Sequence, residues 1–209
     1  MGRYYPICLS LARRRCLVVG GGAVARRKVQ SLLDVGADVT VVSPEFCEEL
    51  LRLDAVRRIE RPFEERDVAG ACLVCAATND AAVNSAVAAA ARKQGALVNV
   101  VDTPAECDFI VPSTLTRGDL TISVSTGGAG PALARRLRLE LEPLIPQDFA
   151  EFVSLLGEIR AEVAAAVPDI KRRSAIAREL ADKPALDLFR QQGPAALRQL
   201  ARELIRGDS

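Results

Sequence analysis

The sequence predicts an α/β chain: a parallel sheet wrapped by helices, then a small α+β segment, then a helical domain. Three observations predict it. Short β-branched runs alternate with helical stretches through the first half of the chain. The alternation stops at Pro112, where a period-two stretch marks a hairpin. From Pro146 onward only helical periodicity is left. The expected divisions are therefore 1–111, 112–145 and 146–209.

The elements can be justified in order. Cys16 to Val19 is a β-branched run ending in Gly20-Gly21-Gly22, and a helix over Val24 to Leu33 follows until Gly36 stops it. Asp38 to Val42 reads as a second strand and Val56 to Glu60 as a short third. Leu73 to Ala76 is a fourth strand, Ala82 to Gln94 an alanine-rich helix, and Leu97 to Val101 a fifth strand. Such alternation requires right-handed crossovers, which place helices on both faces of a parallel sheet. Phe109 to Val111 is read as one more strand.

Beyond Pro112, Ser113 to Leu115 and Leu120 to Ser125 flank the turn Arg117-Gly118-Asp119. Pro131 fits the first turn of a helix running to about Leu144, with Leu133, Leu137, Leu141 and Leu144 as its apolar stripe. Phe149, Phe152, Val153, Leu156, Ile159 and Val163 start a helical domain of three or four helices punctuated by Pro168, Pro184 and Pro194.

Composition excludes whole classes of function. Hydrophobic residues make up 49% and charged residues 26%, as in a globular protein. Net charge is +1, aromatics are 4% and there is no Trp, so neither a nucleic-acid surface nor an anionic-membrane surface is expected. The apolar runs are short, and Pro6 to Leu11 is too brief for a secretory signal before Arg13-Arg14-Arg15. A cytoplasmic location is expected, with six free thiols. The chain has no histidine, which removes Ser-His-Asp hydrolysis and imidazole-held zinc. Proton transfer must fall to Asp, Glu, Lys, Tyr or Cys.

Gly20-x-Gly22-x-x-Ala25 lies between a strand and a helix. The first glycine permits a tight turn, the second lets backbone approach a pyrophosphate, and Ala25 lets helix and strand pack closely. A glycine-rich structural turn is the plainer alternative. The expected cofactor-binding residues are Gly20, Gly22, Ala23 and Val24 on this loop, Ser43 and Pro44 after the second strand, and Ala76, Ala77 and Thr78 after the fourth. Glu45 lies just beyond Ser43, and no arginine stands there for a 2′-phosphate, which favours NAD over NADP. An ordinary strand-to-helix turn is the alternative at Ala76 to Thr78. Cys72-x-x-Cys75 is read as buried structural thiols on opposite faces of a strand, not a metal site.

These stretches together resemble one family. Gly20 to Lys28 is similar to the GGGxVAxRK signature of the precorrin-2 dehydrogenase and sirohydrochlorin ferrochelatase family, the N-terminal part of siroheme synthases. Cys75 to Asp80 resembles its AAT turn, Asn99-Val100-Val101-Asp102 its NVVD strand and Phe109 to Ser113 its FxxPS step. Ser125 to Ala134 resembles its glycine-rich loop, with Thr126 where some relatives have serine. The likeness runs from Pro6 to about Pro146 and leaves the last helices matched in character only.

The resemblance implies a Rossmann-like domain that oxidises precorrin-2 to sirohydrochlorin with NAD. In some members it also implies insertion of ferrous iron to give siroheme. It implies that the methyltransferase domain of larger siroheme synthases does not follow here. It implies Asp102 as the catalytic carboxylate; by spacing alone Asp102 reads first as a turn residue before Pro104. It implies substrate contacts by Asn99, Ser125, Thr126, Gly127, Gly128 and Arg135, the last suited to a carboxylated macrocycle. A solvated helix face is the alternative for Arg135, Arg136 and Arg138, and likewise for Arg26, Arg27 and Lys28. Cys107, five residues after Asp102, reads as packing, with contact to iron as the alternative. The hairpin and following helix resemble the family's dimerisation region, so a homodimer is expected. Two other readings stay open: an NAD-sensing module without catalysis, and a chelatase that binds no NAD.

Overall fold

The structure, a computed structural model, describes residues 4–207. The chain divides into two compact units, residues 1–111 and 112–209.

The first unit is a five-stranded parallel sheet in the order β3-β2-β1-β4-β5. Its strands are β1 (Arg15–Val19), β2 (Asp38–Ser43), β3 (Val56–Glu60), β4 (Leu73–Ala76) and β5 (Leu97–Val100). Helices α1 (Ala23–Leu33) and α3 (Ala81–Lys93) and the single turn α2 (Glu48–Leu51) connect them. Side-chain alternation sorts the strands into two cores. Leu17, Val19, Val74, Ala76, Val98 and Val100 pack with Val87, Ala88 and Ala91 of α3. Cys16, Val18, Val39, Val41, Leu73 and Cys75 pack with Ala25, Val29 and Leu32 of α1. Each buried valine or leucine contributes about 1.5–3 kcal/mol, so both faces are needed to hold the sheet. The strand order reverses between β1 and β4, where an open α/β sheet forms its ligand crevice.

Two expectations need correction. Phe109 to Val111 is not a strand. Asn99 takes the Phe109 carbonyl with its side chain, at 2.9 Å, so the segment runs beside β5 without a backbone ladder there. Cys72 and Cys75 do not lie on opposite faces. Cys72 precedes β4, so the alternation rule does not reach it, and both thiols join Cys16 in the core on the α1 side.

The second unit begins with the hairpin β6 (Ser113–Arg117) and β7 (Leu120–Val124), closed by Gly118 and Asp119. Helix α4 (Pro131–Leu141) follows. It ends sooner than its leucine stripe suggests, because the chain tightens into a 3-10 turn over Glu142–Leu144 around Pro143. Helices α5 (Asp148–Ala166), α6 (Ile170–Leu180), α7 (Lys183–Gln192) and α8 (Pro194–Arg206) share a core of Phe152, Ile159, Ile176, Phe189 and Leu197. No described helix is long and apolar enough to cross a membrane.

Candidate active site

A cleft of about 870 Å³ opens at the strand reversal and is lined wholly by the first unit. Its floor is the turn from β1 into α1. A Cβ added at Gly20 would lie 2.3 Å from the Ala77 carbonyl oxygen, and one at Gly21 would lie 1.8 Å from that of Glu45. Those two glycines therefore let the β1 end pack against its neighbours. Gly22 is different: a Cβ there would meet nothing within 4 Å. It stands at the N-cap of α1, where no side chain caps the first turn and no acidic residue occupies it. The helix thus presents its positive N-terminal end, with Ala23 and Val24, to the cleft. A dinucleotide pyrophosphate fits this cradle, since its backbone donors have no competing side chain.

Ser43, Pro44, Glu45, Phe46 and Cys47 form one wall. Ala77, Thr78 and Asn79 form the other, pinned by Asn84 of α3. The Asn84 Oδ1 accepts from the Thr78 backbone N–H at 3.2 Å and from its Oγ1 at 2.8 Å, while Nδ2 donates to the Thr78 carbonyl at 3.0 Å. Asn84 also lines the cleft and is only 7% exposed. An asparagine inside an alanine-rich helix gave no sequence signal of that work; the nearest clue was its spacing from Thr78.

Asp102 lines the cleft together with Val101 and Thr103. It does not end β5 as expected: the strand stops at Val100, and Asp102 sits in the turn beyond it at φ 58. An exposed non-glycine residue in the left-handed region marks backbone held by its surroundings. No hydrogen bond or ion pair engages its carboxylate among the described residues, so it is free to accept a proton.

Of the remaining expected residues, Ala76 is fully buried in β4 and is not part of the cleft wall, because its side chain faces the α3 core. Asn99 is also inside rather than in the cleft, at 7% exposure. Its Oδ1 accepts from Lys28 Nζ at 2.9 Å, which also removes Lys28 from the freely solvated face. Ser125, Thr126, Gly127, Gly128 and Arg135 belong to the second unit. There Ser125 Oγ accepts from the Gly127 N–H at 3.1 Å and Thr126 Oγ1 from the Gly130 N–H at 3.0 Å, which shapes the loop, and Arg135 is exposed. Burial pushes the Cys16 thiol up to about 12, with Cys72 beside it adding to the shift, and burial pushes Cys75 up to about 11. Among the described residues no group of three His, Cys, Asp or Glu could hold a metal ion.

The comparisons with known proteins fall on this geometry. A family described as putative NAD(P)-binding matches residues 7–113, and the sirohaem biosynthesis protein central family matches residues 117–143. The chain belongs to the putative NAD(P)-binding family, followed here by a sirohaem biosynthesis central segment. Among its relatives, the siroheme synthase of Methylococcus capsulatus is 44% identical over 191 residues, covering 90% of this chain and 40% of that one. That of Thioalkalivibrio sulfidiphilus is 42% identical over 189 residues, covering 89% and 39%. The chain thus spans about 40% of the length of these siroheme synthases. A solved structure titled SirC, precorrin-2 dehydrogenase, superposes with a TM-score of 0.80 at 26% identity, covering 97% of this chain and 100% of that one.

Proposed function

We propose that this family member is an NAD-dependent precorrin-2 dehydrogenase that forms sirohydrochlorin on the path to siroheme. One observation carries the reading: an uncapped glycine cradle and an unpartnered carboxylate share a single cleft. Gly20, Gly22, Ala23 and Val24 would hold the pyrophosphate, Ser43 and Pro44 the adenosine ribose side, and Ala77 and Thr78 the nicotinamide side. Ala76 acts only by closing the strand beneath them. Glu45 on the ribose wall disfavours a 2′-phosphate by charge repulsion, which supports NAD over NADP. NAD, when bound, supplies the hydride acceptor. Removing two hydrogens from precorrin-2 releases one as hydride and one as a proton, and the Asp102 carboxylate takes that proton and passes it to water. Ser125, Thr126, Gly127, Gly128 and Arg135 are assigned to the carboxylated macrocycle, with Asn99 supporting the Asp102 turn from within.

Iron insertion is a second reading. It requires loss of pyrrole N–H protons, and the same free carboxylate is chemically suited to accept them. The homodimer has support of its own: α4 buries only Ala134, while Leu133, Leu139 and Leu144 are 45%, 47% and 68% exposed. Leucines exposed on and just after one short helix favour further apolar cover. A monomeric mass by light scattering would contradict this.

The enzymatic reading is tested by anaerobic absorbance of purified protein with precorrin-2, with and without NAD, beside Asp102→Ala. Sirohydrochlorin should form only with NAD, and with Asp102→Ala at no more than a small residual rate. A folded wild type that binds NAD but turns nothing over would point to a sensing module instead. Adding ferrous iron to sirohydrochlorin tests insertion separately, and wild-type siroheme formation lost in Asp102→Ala is the outcome expected if one carboxylate serves both steps.

A further inference from the structure

The chain after β5 doubles back along the sheet edge. The Asp108 N–H donates to the Val98 carbonyl at 2.8 Å, and the Val98 N–H donates to Asp108 Oδ2 at 2.9 Å. Asn99 Nδ2 donates to the Phe109 carbonyl at 2.9 Å. Beside them the Cys107 thiol takes both backbone groups of Val100: the Val100 N–H donates to Sγ at 3.2 Å, and Sγ–H faces the Val100 carbonyl at 3.1 Å. Sγ also lies 3.5 Å from the Thr103 carbonyl. An edge strand normally leaves such groups to water. Here the Asp108 and Cys107 side chains and the Asp108 N–H of the returning segment fill them.

The turn that this return closes is Val100 to Thr103, and Asp102 is in it. Its own closing hydrogen bond, Thr103 N–H to the Val100 carbonyl, is long at 3.5 Å. The turn is weakly held from within, yet it keeps an aspartate at φ 58. The Cys107 thiol touches the backbone on both sides of Asp102, at Val100 and Thr103, without itself lining the cleft. Asn99 anchors the far end of the return and is in turn held by Lys28 from α1, the helix whose N-terminus forms the cofactor cradle.

We propose that Cys107 and Asn99 are positioning residues that clasp the Val100–Thr103 turn and so hold Asp102 in its left-handed conformation at the cleft. The proposal rests on Asp102 being the base. A thiol suits the latch because it is small, accepts and donates weakly, and reaches several backbone groups at sulfur distances. Valine in its place fills the space but leaves the Val100 N–H unpaired and its carbonyl with only the long Thr103 hydrogen bond, so the turn relaxes. Small displacements of a reacting group lower the chemical step strongly, whereas ligand affinity is set elsewhere.

The test is a double-mutant cycle in the full-length protein with NAD and precorrin-2. Cys107→Val, or Cys107→Ala if valine prevents folding, should lower kcat about tenfold to a hundredfold while NAD affinity and the KM for precorrin-2 stay within about twofold. Cys107→Ser, which keeps a donor and an acceptor, should restore most of kcat. In an Asp102→Ala background the Cys107 substitution should change the residual rate by less than about twofold, because a positioning effect vanishes with the group positioned. Asn99→Leu should behave as Cys107→Val does. If Asp102→Ala alone keeps wild-type kcat, the base assignment fails and the clasp with it. If Asp102→Ala is inactive but Cys107→Val turns over like wild type, the clasp alone fails. An equal loss from Cys107→Val in both backgrounds, or a parallel loss of NAD affinity, also overturns it by showing a merely structural role.

Discussion

Replacing Asp102 by glycine should make the protein more stable and inactive. Asp102 holds φ 58. A Cβ in that region costs about 1–2 kcal/mol against the following carbonyl. Glycine removes that cost but brings about 0.5–1 kcal/mol of extra chain entropy in the unfolded state. The carboxylate makes no hydrogen bond or ion pair among the described residues, so deleting it forfeits nothing else. The difference leaves Asp102→Gly about 0–1.5 kcal/mol more stable than wild type. Asp102→Ala keeps the Cβ and gains nothing, so the two variants should differ by about 1 kcal/mol. Urea unfolding followed by circular dichroism measures both midpoints, with turnover assayed on the same preparations. If Asp102→Gly is less stable than wild type, or matches Asp102→Ala, the positive φ carries no strain, and the turn is not held against its own preference.

Other substitutions separate cradle, fold and surface. Gly22→Ala, whose Cβ meets nothing in the protein, should keep wild-type stability and weaken NAD binding at least tenfold by calorimetry. Gly21→Ala, whose Cβ would overlap the Glu45 carbonyl, should instead unfold at lower urea. Arg61 grips Asp67 at 2.8 and 2.6 Å and holds its carboxyl below the usual carboxylate range. A depressed folded pKa stabilises fully above the unfolded value of about 3.9 and is lost as pH falls through the folded value. Wild type should therefore lose stability in acid below about pH 4. Arg61→Met, which leaves the largely buried Asp67 carboxylate with only the Glu64 N–H, should unfold at lower urea than wild type at neutral pH. Iodoacetamide at mildly alkaline pH should label exposed Cys8 and spare Cys16 and Cys75, as peptide mass mapping would show.

The sheet was legible because each strand is a short apolar run between turn residues and each helix keeps one apolar stripe. Cys16 to Val19 followed by three glycines allows few other readings, and the cradle followed from it. The limits of sequence reasoning fall where side chains replace backbone partners. Val101 extends the apolar run of the strand, and no residue pattern shows that the ladder stops at Val100 and that Asp102 turns left-handed. Asn99 was expected at the substrate only through the resemblance, and no residue pattern shows that its side chain bonds Lys28 and Phe109. Phe109 looked like strand because it is apolar, and Cys72 seemed to oppose Cys75 because a strand was assumed to include both. Asn84 escaped notice because its partner, Thr78, lies across a turn whose shape only the fold reveals.

The most direct test of the account is one anaerobic reaction of wild type and Asp102→Ala, each first shown to bind NAD, with sirohydrochlorin and NADH quantified together. Equal amounts of the two products from wild type, and no more than a small residual rate of both from Asp102→Ala with undiminished NAD affinity, is the predicted result. Sirohydrochlorin formed at the wild-type rate by Asp102→Ala, or formed by wild type without matching NADH, would contradict it.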